Sequence, residues 1–121
     1  MSNISHLPDL TPYTNNLEIL NKTAEQLIKD FQFSGIEITF SGNPSTAYTE
    51  LVNQVEPHLA KLMGMEKFFS LLYRIDLSEK QVADACTKEP DRPVSFVITD
   101  LILKRELQKV VMRKKYGSKE K

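Results

Sequence analysis

The chain has 121 residues, of which 40% are hydrophobic and 26% are charged, and this composition is that of one folded globular domain rather than a disordered or fibrous chain. A chain of this length buries roughly two thirds of its unfolded surface, so it does not need disulfides, and its single cysteine excludes an internal one. Residues 1–103 hold 8 Lys and Arg against 14 Asp and Glu, whereas residues 104–121 hold 8 against 2. The sequence is therefore an acidic body followed by a basic segment.

Residues 1–14 contain Pro8 and Pro12, which predict an irregular arm because proline lacks an N–H donor and favours extended backbone before it. The arm lacks the charged start and apolar stretch of a signal peptide, and no run approaches the ~20 apolar residues of a membrane span. A lone cysteine fits a reducing compartment. We therefore expect a cytoplasmic protein without a membrane association.

The first helix is predicted to begin at Asn15, which can cap it together with Glu18. Apolar residues then recur at helical spacing as far as Phe31, and Gly35 ends the period.

The segment from Gly35 to Ser41 is the clearest strand-like pattern in the sequence. Its apolar members, which alternate with polar residues, are Ile36, Ile38 and Phe40. A single strand leaves backbone donors and acceptors unpaired, so we expect a partner: the arm around residues 3–7, or the same segment of a second copy in a homodimer. The alternative is an extended connection on the helices with its edges in water.

Asn43 and Pro44 are predicted to cap and begin a second helix, whose apolar stripe continues through Pro57 and indicates one bent helix. A short, very apolar third helix follows over residues 65–75. Ser78 and Gln81 form a capping box for a fourth helix over residues 79–87.

Asp91 is predicted to cap the last helix. Residues 94–99 also suit a buried strand, but a helix is preferred because the apolar pattern continues to Val111 without a turn signal. The predicted fold class is thus mostly α, at the margin of α+β, with about five helices and one short strand or strand pair. One compact domain is expected over residues 15–116, followed by a disordered basic tail over residues 117–121.

No segment carries a catalytic, cofactor or metal motif, so we predict no cofactor and no metal and lean against an enzyme. His6 and His58 stand outside recognisable motifs, and Cys86 is expected to act as a small buried hydrophobic residue. Residues 40–46, FSGNPST, have the layout of an anion site but lack the lysine and second glycine of a P-loop, and capping explains them.

Three charged residues interrupt apolar runs. Arg74 and Asp76 are expected to hold the connection between the third and fourth helices, and Asp100 to pair with Lys104 one turn further on. An enzymatic alternative would gather Arg74, Asp76 and Asp100 in a cleft.

The last helix carries basic residues one turn apart on one face: Arg105, Lys109 and Arg113. Such a face can bind phosphates, although cations near a helix C-terminus also complement its dipole. A helix-turn-helix over residues 77–111 is disfavoured because the connection at residues 87–93 is long and lacks glycine.

The segments LLYRIDLSE and LILKRELQKVVMRKKY resemble small, mostly helical bacterial proteins of about this length that have no assigned activity. The similarity covers most of the chain after the arm. It implies a compact bacterial domain and assigns no activity, partner or site residue.

The leading hypothesis is a non-enzymatic, cytoplasmic module that binds another protein or associates with itself. Its candidate surfaces are the strand-like segment, with Ile36, Ile38 and Phe40, and the charged last helix. The alternative is a nucleic-acid-binding protein that uses Arg105, Lys109 and Arg113.

Overall fold

A computed structural model describes residues 17–43 and 46–116 of the chain, and these residues form five helices. The helices are α1 Leu17–Gln32, α2 Ala47–Leu62, α3 Glu66–Ile75, α4 Glu79–Lys88 and α5 Val94–Tyr116. The mostly α fold class is confirmed. The predicted arm, the basic tail and the cap at Asn15 lie outside the described residues.

The last helix, α5, is the centre of the fold, because it contacts each of the four other described helices. Its first half is helical from Val94, which confirms the choice of helix over strand for residues 94–99. The amides of Phe96 and Val97 both donate to the carbonyl of Pro93. Pro93 therefore precedes the first turn, two residues later than the predicted cap at Asp91.

The hydrophobic interior has two parts. The main core joins α1, α2, α3 and α5 with the segment after α1, and its most buried members include Leu27, Phe31, Val55, Leu59, Leu71, Ile75 and Ile102. A second, smaller cluster joins only α1 and the C-terminal half of α5: Ile19, Val110 and Val111, with Leu107 packed against it. Each fully buried side chain of this size contributes about 1.5–3 kcal/mol. The two ends of α5 are thus held by different apolar contacts.

The capping residues predicted at the helix ends are confirmed for α4 but not for α2. The Ser78 hydroxyl accepts from the Gln81 amide at 3.0 Å, and the Gln81 side chain accepts from the Ser78 amide at 2.9 Å, which confirms the capping box. The helix α2 is one helix through Pro57, as predicted, but it begins at Ala47 rather than beside Asn43. Local hydrogen-bonding signals therefore placed the start of α4 better than that of α2.

The strand predicted over residues 35–41 is not seen in the described part of the chain. These residues form an extended connection in which Ile36 and Ile38 are buried in the main core, so the alternation marked the buried face correctly. The side chain of Gln54 on α2 accepts from the Thr39 amide at 2.9 Å and donates to the Thr39 carbonyl at 2.7 Å. One carboxamide thus makes the two bonds that a neighbouring strand would make.

A second side chain of α2 continues this pairing. The Glu50 carboxylate accepts from the Ser41 amide at 2.9 Å and from the hydroxyls of Ser41 and Thr46. The Ser41 hydroxyl, then the Thr46 hydroxyl and the Ser41 amide, hold the pKa of Glu50 below its ordinary value. Two polar side chains one helical turn apart therefore attach the extended segment to α2.

We expect Gln54→Ala to lower the free energy of unfolding by about 1 kcal/mol, because it removes both bonds to the Thr39 backbone from a site that water can still reach. Asn53→Ala, at an exposed neighbouring position on α2, is the matched control and should change it by less than about 0.5 kcal/mol. Urea unfolding measures both. Hydrogen exchange at the Thr39 amide should accelerate in Gln54→Ala alone, and equal exchange in the two variants would contradict the pairing.

Candidate functional site

The predicted basic face of α5 is bound to the protein itself. Arg105 donates from Nη2 to the Asp76 carboxylate at 2.6 Å and from Nε to the Asp76 carbonyl at 3.1 Å, at the end of α3. Lys109 lies 3.0 Å from the Asp30 carboxylate on α1, and Arg113 donates to the side-chain oxygen of Gln26 at 2.9 Å. These three side chains connect α5 to α1 and α3, and their contact with nucleic acid stays a prediction.

The three side chains of the predicted interaction strand face the interior. Ile36 and Ile38 are 8% and 2% exposed, and Phe40 is partly buried against the main core. Contact with a partner through these side chains would require the segment to leave the core. Their role in an interaction stays a prediction.

The three charged residues in apolar runs have separate partners. Asp100 accepts from Arg92 Nη1 at 2.8 Å, so Arg92 replaces the expected hydrogen-bonding partner Lys104. Burial raises the pKa of Asp100, and the charge of Lys104 opposes that shift. Asp76 pairs with Arg105, as described above, while Arg74 packs its guanidinium 3.3 Å from the centre of the Phe33 ring. These contacts of Arg74, Asp76 and Asp100 join α3 and α5 to the segments packed beside them.

A buried charged cluster lies between α1 and α5. Asp30 is 2% exposed and Glu106 is fully buried, and both carboxyl groups approach the ammonium group of Lys109. The distances are 3.0 Å from Nζ to Asp30 Oδ2 and 2.9 Å from Nζ to Glu106 Oε1. Two acids of different helices therefore meet at one cation inside the protein.

The two carboxyl groups of this cluster are not equivalent. Asp30 also accepts from Gln26 Nε2 at 3.1 Å and lies 3.6 Å from Arg74 Nε, so it has three polar partners. Glu106 is within ion-pair distance of Lys109, but among the described residues neither of its oxygens accepts a well-aligned hydrogen bond. A buried carboxylate without partners is costly, so ionisation of Glu106 is opposed by its surroundings.

The pKa of Glu106 is raised to about 8: burial is the largest cause, the neighbouring Asp30 carboxyl group also raises it, and Lys109 opposes both effects. Glu106 therefore holds its proton through much of the neutral range. A protonated Glu106 can donate to the Asp30 carboxylate, which removes the need for a second buried charge. What the cluster can do chemically is bind and release one proton.

The sequence contains a signal for this cluster, but on α5 only the basic residues were predicted to form a binding face. Glu106 lies one turn after Ile102 and one turn before Val110, and both of these are buried. Asp30 lies three residues after the buried Leu27 on α1. Acids at these spacings fall on the inward faces of their helices.

A second surface lies along α3, beside its buried face, and begins at the N-cap residue Met65. Met65, Phe69 and Tyr73 follow one another at one-turn intervals and are 52%, 42% and 87% exposed. We call these three residues the α3 surface. The Phe69 ring is held edge-on by the buried Phe68, with 5.4 Å between the ring centres.

The remaining candidates of the sequence have structural surroundings. Cys86 is half-buried against the main core, and burial, with a smaller contribution from Glu89, raises the pKa of its thiol. His58 is half-buried on α2, whereas His6 lies outside the described residues. Within residues 17–43 and 46–116, no group of three or more His, Cys, Asp or Glu side chains is arranged to hold a metal ion.

Comparison with known proteins gives no relative: no family model, no curated protein and no solved structure matches the chain. None of the helices described here is long and apolar enough to cross a membrane.

We expect Lys109→Met to lower the free energy of unfolding by about 3 kcal/mol, because it leaves the buried Asp30 carboxylate without its nearest cation. Lys104→Met, an exposed lysine of the same helix, is the control and should change stability by less than about 0.5 kcal/mol. Guanidinium unfolding at neutral pH measures both. Equal stability of the two variants would show that Lys109 is not the shared cation.

Proposed function

We propose that the protein is a non-enzymatic interaction module that forms a homodimer through the α3 surface. The observation that carries this proposal is the exposure of Met65, Phe69 and Tyr73, three large apolar side chains in one row. Contiguous apolar residues on a protein surface mark interaction sites, and Tyr, Phe and Met are enriched at interfaces. The row supplies the apolar centre that such an interface requires.

The α3 surface is also ordered before it meets a partner. Phe69 packs on the buried Phe68, and the buried face of α3, with Leu71, Leu72 and Ile75, is fixed in the main core. An aromatic side chain that is already held loses little conformational freedom on binding. The arrangement therefore favours a rigid contact.

Charge supports a second copy of this chain as the partner. The exposed acid Glu66 lies at the start of α3. Arg74 lies at its end, where it contacts Phe33 and Asp30 of its own chain and keeps 41% of its side chain exposed. If two copies of α3 pair antiparallel about a two-fold axis between Phe69 and Ser70, Glu66 of one copy comes within about one residue of Arg74 of the other, and this happens twice. The same symmetry brings Met65 close to Tyr73.

The location that we propose is the cytoplasm. It rests on the single cysteine, Cys86, whose thiol is expected to stay reduced there.

The proposal predicts a dimer at micromolar concentration, measured by sedimentation velocity. Phe69→Glu and Tyr73→Glu should each give monomers whose circular dichroism is unchanged, because the new charge is placed on the α3 surface and not in the core. Tyr48→Glu, at an aromatic residue 57% exposed on α2, is the control and should remain dimeric. A wild-type protein that stays monomeric over the same concentrations would overturn the proposal.

The antiparallel arrangement has its own test. Glu66→Arg should weaken the dimer, because it opposes Arg74 of the second copy with a like charge, and the effect should shrink at high salt. Glu25→Arg, an exposed acid on α1, makes the same change of charge elsewhere. Equal dissociation constants for the two variants would exclude this arrangement.

A further inference from the structure

The contact between α1 and the C-terminal half of α5, which we call the seam, combines one apolar cluster with several polar pairs. Its apolar part is the second cluster, in which Ile19 packs with Val110 and Val111. Its polar pairs are Lys109 with Asp30, Arg113 with Gln26 and Lys114 with Glu18. The seam therefore has a small apolar area and depends strongly on its polar groups.

Glu106 lies at the inner end of the seam, one turn before Val110, and is fully buried. Its carboxyl oxygens are the only buried side-chain polar atoms in the described residues that lack a hydrogen-bond partner. A buried acid of this kind is stable when it carries a proton and unstable when it is ionised beside another carboxylate.

We propose that Asp30 and Glu106 share one proton, and that this proton closes the seam, so that its loss in alkaline solution loosens α1 from the C-terminal half of α5. The proposal goes beyond the homodimer and does not depend on it. The ligand of this site is the proton itself.

The charges around Glu106 come from three helices. Asp30 of α1 and Lys109 of α5 face Glu106. Lys109 lies at Oδ2 of Asp30, and Gln26 of α1 binds its Oδ1. Arg74 of α3 lies near the same Oδ1. Of these groups, Lys109 favours ionisation of Glu106 and Asp30 opposes it. With one cation between two acids, the neutral state of the trio is the one in which one acid is protonated.

The pKa values of Glu106 in the folded and unfolded chain determine how stability changes with pH. The pKa of Glu106 is about 8 in the folded protein, against an ordinary value of 4.5 for the unfolded chain. Between these values the folded state binds more protons, so the stabilisation is complete below 4.5 and is lost as the pH rises to about 8. Within this window a one-proton difference changes the folding equilibrium by up to about tenfold per pH unit.

The most direct test is a carbon-13 NMR titration of the glutamate carboxyl groups in the wild-type chain. One carboxyl, assigned through its side-chain protons to Glu106, should titrate in the slightly alkaline range. All glutamate carboxyls titrating near their ordinary value of 4.5 would overturn the proposal.

A second test locates the effect by hydrogen exchange at about pH 6 and about pH 9, corrected for the intrinsic dependence of exchange on pH. Protection in α1 and the C-terminal half of α5 should fall between these values in the wild type, whereas Glu106→Gln, which cannot ionise, should keep its protection. Glu25→Gln removes an exposed acid of α1 that takes no part in the polar pairs of the seam, and it should behave like the wild type. An unchanged loss of protection in Glu106→Gln would overturn the proposal, and a pH-independent wild type would do the same.

Discussion

The structure depends most on one ammonium group. Lys109 lies between Asp30 and Glu106, and it allows α1 and α5 to close over two acids that have almost no access to water. Burial of a single unpaired carboxylate costs several kcal/mol, which is comparable with the whole stability of a domain of this size. The cation and a retained proton together offset this cost. Because α5 contacts every other described helix, its position on α1 bears on the whole bundle.

The same principle operates at the extended segment after α1. There the apolar side chains of Ile36 and Ile38 enter the main core, which draws their backbone against α2 without a second strand to pair it. Gln54 and Glu50 supply the missing donors and acceptors from one face of α2. In both places, apolar packing brings polar groups of different segments together, and these groups pair with one another.

The sequence was informative wherever the deciding interaction is local. The capping box of Ser78 and Gln81 spans three residues, and the helical start of α5 follows from an unbroken apolar pattern, so both could be predicted. The partner of Thr39 lies fifteen residues away on α2, and no period in the sequence indicates it. Asp100 pairs with Arg92, on the connection before α5, instead of with Lys104 one turn further along the helix. The spacing of residues in the sequence predicts which side chains of one helix lie close together. It does not predict which side chains of other segments pack against them.

In the candidate site, too, local features could be predicted and contacts between distant segments could not. The basic residues of α5 were evident from spacing, but their partners on α1 and α3 were not, because those partners are acids and amides that look ordinary in their own segments. Glu106 could have been found from its place between Ile102 and Val110. The exposed row on α3 could not, since Met65, Phe69 and Tyr73 look like core residues of a very apolar helix until the fold shows which side is covered.

A double-mutant cycle between Glu106 and Lys109 tests the central claim most directly. If Lys109 serves to neutralise buried acids, then at about pH 9, where Glu106 is ionised, Glu106→Leu combined with Lys109→Met should be more stable to denaturant than Lys109→Met alone, because the double variant leaves only Asp30, which keeps Gln26 and Arg74. Losses that add, with the double variant less stable than either single one, would contradict the account.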